Sequence, residues 1–517
     1  MAQFRSVLVL CFLGLLSLTG CASSGSGGWM EMSPERVEIL ATSVLEQVDD
    51  FYIEEPDLFE LTVDGLRQVA ENHPPTQVKV ETGAVIVLVG DAEVHRIDRG
   101  VQLDPRLLGQ QTALALTRLR DTFPEEGAPD LTELSDSFAH GIADSLSLGG
   151  KYWPHRQRVA IREKLPLGPG TVNASFKPSV DGWQVSSILS IGLLESELIS
   201  RGDTVLAVDG VPVQDADSAE FLARLLGPVD SPVTLTMLTE DETTAVPVTL
   251  RRELSGSNTV GAHHQGKTLR ILVASLGRAT VKDLHAILNE NLGDDTKDYL
   301  GIIIDLRSNP VGLLPTSIEF ADSFMAEGKI LSTSGRHPDS HQHFSAARDQ
   351  KANGLRLVIL TDEQTASGAE IVAAALQGSR RAVVVGSTTF GSGTIRNVVP
   401  LPNAAAISLT WAEAIVPSDY RLDKRGVMPT VCSGGDATTG EILTALRSER
   451  GIIDWATRTR DIDPKDAEAV EAFRALCPPR GDGADISLEV ATAILEEPGL
   501  YEQILALDER SAQTAAH

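Results

Sequence analysis

Apolar positions along the chain change their spacing several times, and each change marks a different kind of unit. From residue 34 to about 72 they recur at helical intervals. Val37, Leu40, Val44, Leu45 and Val48 fall on one face, and Leu61, Leu66 and Val69 predict a second helix after the turn at Pro56. The stretch "QVKVETGAVIVLVG" (77 to 90) predicts a strand-rich insertion, after which Leu107 to Leu119 and Leu131 to Leu146 return to helix. "FYIEEPDLFELTVDGLRQVA" (51 to 70) is weakly echoed by "TFPEEGAPDLTELSDSFAHGIAD" (122 to 144), an echo that two chance copies of an acidic turn and helix explain better than a true repeat. Residues 34–160 thus form a mostly helical N-terminal region. From about 165 the texture becomes short alternating runs, "WQVSSIL", "TVLAVDG", "VTLTML" and "VPVTLRR", with one helix at Ser218 to Leu226, as expected of a small, mostly β unit over 161–255. Residues 266–432 then alternate strand and helix: "LRILVASL", a helix over 280–291, "LGIIIDLR", a helix over 313–326, "LRLVILT", a helix over 368–377, and "RAVVVG". Apolar strands between amphipathic helices predict an α/β core whose sheet is covered on both faces. The remainder, 433–517, is again mostly helical, with "DPKDAEAVEAFRAL" its clearest piece.

Length and charge narrow the partners. A chain of 517 residues with 42% apolar content can bury several cores. Its net charge of −28, without a clustered basic patch, disfavours phosphate backbones, so no nucleic acid is expected. Residues 1–20 have the character of a secretion signal, Arg5 preceding the apolar "VLVLCFLGLLSL" (7 to 18), which is too short for a good membrane span. The run ends in "LTGC" and resembles the lipobox of bacterial lipoproteins. That resemblance implies removal of the signal before Cys21, a lipid on the Cys21 sulfur, and a flexible tether over 21–33. With Ala22 and Ser23 following and no acidic retention residue, it implies the outer membrane of a Gram-negative cell, facing the periplasm. An ordinary signal peptide cut nearby would still export the chain. Of the four cysteines, Cys432 and Cys477 remain in the folded part, either as a disulfide or as two buried thiols. Nothing resembles a metal cluster, and no metal or organic cofactor is implied.

Chemistry concentrates near the third core helix. "SGAE", Ser367 to Glu370, follows a strand and opens a helix, which is the pattern of a capping box. A helix start also supplies free N–H groups and a positive dipole end, which suits a nucleophile. "RGDTVLAVDGVPV" (201 to 213) resembles the PDZ signature, with Asp209-Gly210 turning a hairpin. Such domains capture a peptide's C-terminus as an added strand and hold its carboxylate with backbone N–H groups. By position the carboxylate loop is "GPGTVNASF" (168 to 176), making Gly170, Thr171, Val172 and Asn173 the peptide-binding residues, although the usual Gly-apolar-Gly-apolar texture is absent. A scaffold domain that only spaces its neighbour is the other reading.

The order PDZ, "DLRSNPVGLL", "TASGAEIVAAALQ", "RAVVVGSTTFGSGT" and "GVMPTV" resembles the carboxy-terminal processing (tail-specific) serine peptidases over roughly residues 34 to 432. The resemblance implies a Clp-protease/crotonase-like α/β peptidase core, polypeptide substrates taken by their C-termini, and a serine nucleophile with a lysine base. Ser367 stands at the nucleophile's place. The family's lysine lies in Thr-Phe-Gly-Lys-Gly, which matches Thr389 to Gly393 with Ser392 in the lysine's position, and the supporting glutamine falls on Arg396. The oxyanion turn Asn-Pro-Gly-Gly reads Asn309-Pro310-Val311-Gly312, so Val311 or Gly312 is implied as one donor and Gly368 as the other. Valine resists positive φ, and a negative φ would let Val311 serve unchanged.

A serine hydroxyl is a weak nucleophile until a base takes its proton, help that contributes about 10²- to 10⁴-fold. Ser392 has no useful basicity. Arg396 stays protonated and is limited to steadying an oxyanion or a peptide carboxylate. His263, His264, His285, His337, His341, His343, Lys424 and Glu370 are the remaining groups to locate. Two expectations stand: a serine endopeptidase with a base recruited from elsewhere, and a catalytically inactive pseudopeptidase that binds peptides or acts as an adaptor.

Overall fold

A computed structural model describes residues 32–100, 104–124, 128–155, 170–239, 244–292, 299–347, 350–352, 354–417, 420–460, 462–480 and 485–515. The signal, Cys21 and the tether lie outside them. The N-terminal region contains two helix pairs of matching lengths, Pro34–Phe51 with Leu58–Asn72 and Pro105–Thr122 with Leu131–Ser145. Ser33, Asp57, Asp104 and Asp130 each cap a helix by accepting a backbone N–H, which relieves donors that have no intrahelical partner. The helical parts of the echo are the two shorter helices, which pack on one another with Gly65 lying against the Phe138 ring. All eight apolar positions named for the first two helices are buried. Between the pairs, Thr76–Glu81, Ala84–Val89 and Ala92–Asp98 form the expected antiparallel insertion. Hydrophobic spacing did not reveal the strand Gly150–Trp153, which pairs with Ala406–Ile415 and stitches this region to the core.

The small β unit is an antiparallel sheet in the order Val246–Arg251, Pro232–Leu238, Thr204–Val208, Trp183–Ile188, Ala174–Pro178. Asp209 and Gly210, at φ 48° and 77°, make the two-residue turn that returns Val208 onto Val211. Phe221 of helix Ser218–Leu225 stacks on Trp183 at 4.6 Å in a core with Val185, Val205 and Leu235. A second short helix, Ile191–Ser196, capped by Ser190, is an addition to the expected elements.

The α/β core is a sheet in the order Val260–Gln265, Thr268–Val273, Gly301–Asp305, Arg356–Thr361, Val383–Gly386, Val431–Cys432, parallel after its first pair. Its strands are apolar on both faces for a visible reason. Ile302, Ile304, Leu357 and Ile359 pack in one cluster with helices Leu314–Asp322 and Gly368–Gly378. Ile303, Val358 and Leu360 pack in another with helices Thr439–Arg447, Ile486–Glu496 and Pro498–Ala515. The C-terminal helices are therefore the second covering layer of the sheet. A second sheet, ordered Gln342–Ser345, Lys329–Ser334, Ala406–Ile415, Thr394–Pro400, flanks the core.

Candidate active site

Three loops meet at the carboxyl ends of the parallel strands. The first follows Gly301–Asp305 and contains Asn309 to Gly312; the second follows Arg356–Thr361 and ends at Ser367; the third follows Val383–Gly386 and carries Thr389 to Gly393. Asp362 laces the first to the second. It accepts the Ser308 N–H at 2.9 Å while turning its own loop through the Gln364 and Thr365 N–H groups. The Ala366 N–H donates to the Asn309 carbonyl at 2.8 Å, and the Phe390 N–H to the Thr365 carbonyl at 2.9 Å, which joins the third loop.

Ser367 sits at the N-cap of Gly368–Gly378 with φ 56° and ψ −123°, a conformation that a residue with a Cβ adopts only when its surroundings impose it. It is half-buried. Glu370 supplies much of the constraint. Its fully buried carboxylate accepts the Ser367 N–H at 3.0 Å, as a capping box requires, and also the Gly391 and Ser392 N–H groups at 2.7 Å and the Thr389 hydroxyl. Ser367 and Ser392 donate to the same oxygen, Oε2, so the two positions are brought side by side. Burial raises the pKa of Glu370 above the usual carboxylate range despite those four donors. With both oxygens so occupied, Glu370 is a holder of the loops rather than an acceptor for the Ser367 proton.

The two backbone segments expected to supply oxyanion donors are packed on each other. A Cβ on Gly312 would lie 2.8 Å from the Gly368 Cα, and one on Gly368 would lie 2.7 Å from the Gly312 Cα and 2.1 Å from the Ser317 Oγ. Val311 is not among the residues with positive φ; that conformation falls on Ser308, at 57°. Val311 therefore occupies the turn without left-handed backbone strain, and its carbonyl and the Leu313 N–H pair with Leu276. Among the described residues, the N–H groups of Val311, Gly312 and Gly368 donate to no protein acceptor, which leaves them for a ligand oxygen.

The base is what the arrangement lacks. Among the described residues no side-chain nitrogen hydrogen-bonds to the Ser367 hydroxyl. Arg396 is exposed and its guanidinium lies over Gly149 of the N-terminal region, where a Cβ would come 2.7 Å from Nη2; a register shift after Ile395 carries the strand that way. Oxyanion support at Ser367 is therefore not its position. His263 pairs with Glu195 at 2.7 Å, His264 approaches Tyr299, His285 bonds Ser323 at 2.8 Å, and His337 stacks on Phe51. His341 and His343 lie on the flanking sheet or beside it. Lys424 touches the third loop by its backbone, donating to the Gly391 carbonyl at 2.8 Å, while its side chain lines a cavity of about 410 Å³ with Val470 and Arg474.

The chain from 267 to 433 matches the model of peptidase family S41. Over 389 residues, covering 71% of this chain and 89% of the relative, it is 29% identical to a carboxy-terminal-processing protease of Bartonella bacilliformis. Residues 267–433 are thus a peptidase family S41 domain, and the longer match is to carboxy-terminal processing proteases. A carboxyl-terminal-processing protease of Synechocystis is 31% identical over 259 residues, 49% of this chain and 60% of that one. Among solved structures, a photosystem II D1 C-terminal processing protease is 19% identical with a TM-score of 0.48, covering 76% of this chain and 92% of that one. In this chain, the expected peptide loop of the β unit is partly committed elsewhere. The Gly170 N–H donates to Gly227, Thr171 pairs with Glu253, the Val172 side chain is core, and the Asn173 amide bonds Glu253 and Leu254. Cys432 and Cys477 form a disulfide. Asp362 went unnoticed in the sequence, although an aspartate followed at two and three residues by Gln364 and Thr365 is an Asx-turn signal.

Proposed function

We propose that the protein engages polypeptide C-termini in the cell envelope and that Ser367 is the nucleophile of a peptide-hydrolysing site held back by the missing base. One observation carries this reading: Ser367 and Ser392 are pinned to a single oxygen of Glu370, next to interlocked oxyanion arms, so the site keeps its architecture and lacks only an amine. Attack by Ser367 Oγ on a peptide carbonyl would place the oxyanion near the N–H groups of Gly368 and of Val311 or Gly312, while the proton goes to solvent. Relative to a site with a placed base, that costs about 10²- to 10⁴-fold in rate.

Two features support the capture of a tail. Among the described residues Ala174–Pro178 is an edge strand, open to pairing with an added one, and its Phe176 meets Phe221 edge-on at 5.1 Å. A cavity of about 500 Å³ separates Ile191 and Leu194 of the β unit from Ala274, Asp305 and Thr361 at the strand ends, where ligands of α/β folds bind. The open edge strand equally supports the second reading, a pseudopeptidase that binds tails and presents them. The apolar run at 7–18 and "LTGC" support a lipid anchor on Cys21 and a periplasmic, outer-membrane location. No helix among the described residues is long and apolar enough to cross a membrane.

Ser392→Lys is the deciding experiment. Cleavage of unstructured C-terminal peptides should rise at least about 10²-fold over the parent and vanish again on Ser367→Ala. No gain in a folded Ser392→Lys protein removes Ser367 as a competent nucleophile and leaves the binding reading, which calorimetry with C-terminal peptides tests on the parent chain.

A further inference from the structure

The third loop is held by several groups of the matched peptidase core and, in addition, by a segment that lies beyond it. From the core, Glu370 gathers the Gly391 and Ser392 N–H groups and the Thr389 hydroxyl. From the opposite side comes Arg474, the last residue of helix Ala467–Arg474, well beyond residue 433 where the match ends. Its Nη1 donates to the carbonyls of Thr389 at 2.7 Å and Phe390 at 3.2 Å, and it reaches those of Lys424 and Arg425 at 3.4 Å. Thr389 is thus gripped by its hydroxyl on the Glu370 side and by its carbonyl on the Arg474 side. Three residues after Arg474, the Cys477 carbonyl accepts both the N–H of Thr388 at 3.2 Å and its hydroxyl at 3.0 Å. Cys477 is in turn bonded covalently to Cys432, at the end of the last strand of the core sheet.

We propose that Arg474 is a positioning residue of this site and that the Cys432–Cys477 disulfide anchors it, so that the segment beyond the matched core sets the conformation of the loop that faces Ser367. The physical reason is that Glu370 is acceptor-only and satisfies the donors of the loop, whereas the loop's carbonyls at 389 and 390 need donors, which Arg474 supplies. A guanidinium, permanently charged and free of acceptors, meets several carbonyls at once. The disulfide limits how far the segment that delivers it can move. Reduction by dithiothreitol would pass two electrons and two protons to the pair, giving two thiols and oxidised dithiothreitol, and would leave Arg474 on an untethered segment. The role at Ser367 rests on the reading of that residue given above, so the test reads loop order and not turnover.

Amide hydrogen exchange of the full mature chain, followed by mass spectrometry, provides that test. In oxidised parent protein, peptides covering 388–393 should exchange slowly. Arg474→Ala should raise their rate by at least about tenfold, with Arg474→Lys, which keeps a charged donor, in between. Reduction of the parent protein should raise exchange in the same peptides, while those from 34–51 and 356–361 stay unchanged. Unchanged exchange at 388–393 after both treatments would overturn the proposal, as would a rise spread evenly through the core strands. If Arg474→Ala does not fold, Arg474→Lys and the reduced parent decide by the same criteria. A kinetic readout in a Ser392→Lys background complements it: Arg474→Lys should lower kcat several-fold with KM nearly unchanged, and the reverse pattern counts against positioning. Failure of Ser392→Lys to cleave at all would leave the exchange result standing on its own.

Discussion

Replacing Glu370 by glutamine swaps an acceptor for a donor at the point where Ser367 and the third loop meet, and its cost can be worked donor by donor. Oε1 takes the Thr389 hydroxyl and the Gly391 N–H; Oε2 takes the N–H groups of Ser367 and Ser392. An amide offers one oxygen and one NH₂. With NH₂ in the Oε2 place, two backbone N–H groups face a donor. With NH₂ in the Oε1 place, only Gly391 does, but the Thr389 oxygen must accept it while already accepting the Val427 N–H at 2.7 Å. The better orientation therefore strands one buried N–H, worth about 1–3 kcal/mol, and weakens the remaining bonds by removing their charge. Relief of the buried charge offsets part of this, since burial raises the Glu370 pKa. A net loss of about 2 kcal/mol is expected, a Tm drop of roughly 4–8 °C for a cooperative unit of about 150–250 residues. The pH dependence has a definite sign. A raised folded-state pKa stabilises the fold fully below the unfolded value of about 4.3, and that contribution is lost as pH rises through the folded value. Glutamine does not titrate, so the advantage of the parent over Glu370→Gln should shrink from about pH 4 toward neutrality. Urea unfolding of both proteins across that range measures it, and a gap that widens with pH would refute the reasoning.

Gly368→Ala should wedge the backbone at Gly312 and Gly368 apart, because its Cβ would fall 2.1 Å from the Ser317 Oγ and 2.7 Å from the Gly312 Cα. A cost of about 1–3 kcal/mol in thermal unfolding is expected, only partly relieved by Ser317→Ala since the Gly312 backbone remains in the way. Asp508→Ala leaves the Arg458 guanidinium, 3% exposed, without its carboxylate and should cost about 3–5 kcal/mol by urea midpoint; a change near zero would mean that water replaces the pair. Phe221→Ala removes a fully buried ring stacked on Trp183 and should cost the β unit about 3–5 kcal/mol, with loss of peptide-tail binding by calorimetry; retained binding would separate the tail site from this groove.

What the linear chain determined is what depends on neighbours in sequence. Helical spacing located the face of Val37 to Val48, turn chemistry located Asp209-Gly210, and an N-cap serine with glutamate three residues on located the start of the third core helix, because each is a local balance of burial and backbone hydrogen bonding. The motif order also brought Ser392 to its place opposite Ser367, where one carboxylate oxygen now holds both. Only the tertiary structure decided the rest. Glu370 is saturated largely by donors from a loop about twenty residues away, the Arg396 guanidinium lies over Gly149, and Arg474 reaches back to Thr389 from about half-way along the C-terminal region. Charged side chains carry no periodic signature, and a long-range partner is chosen by which unsatisfied carbonyl or N–H the packed core brings within reach. That choice does not exist until the chain has folded.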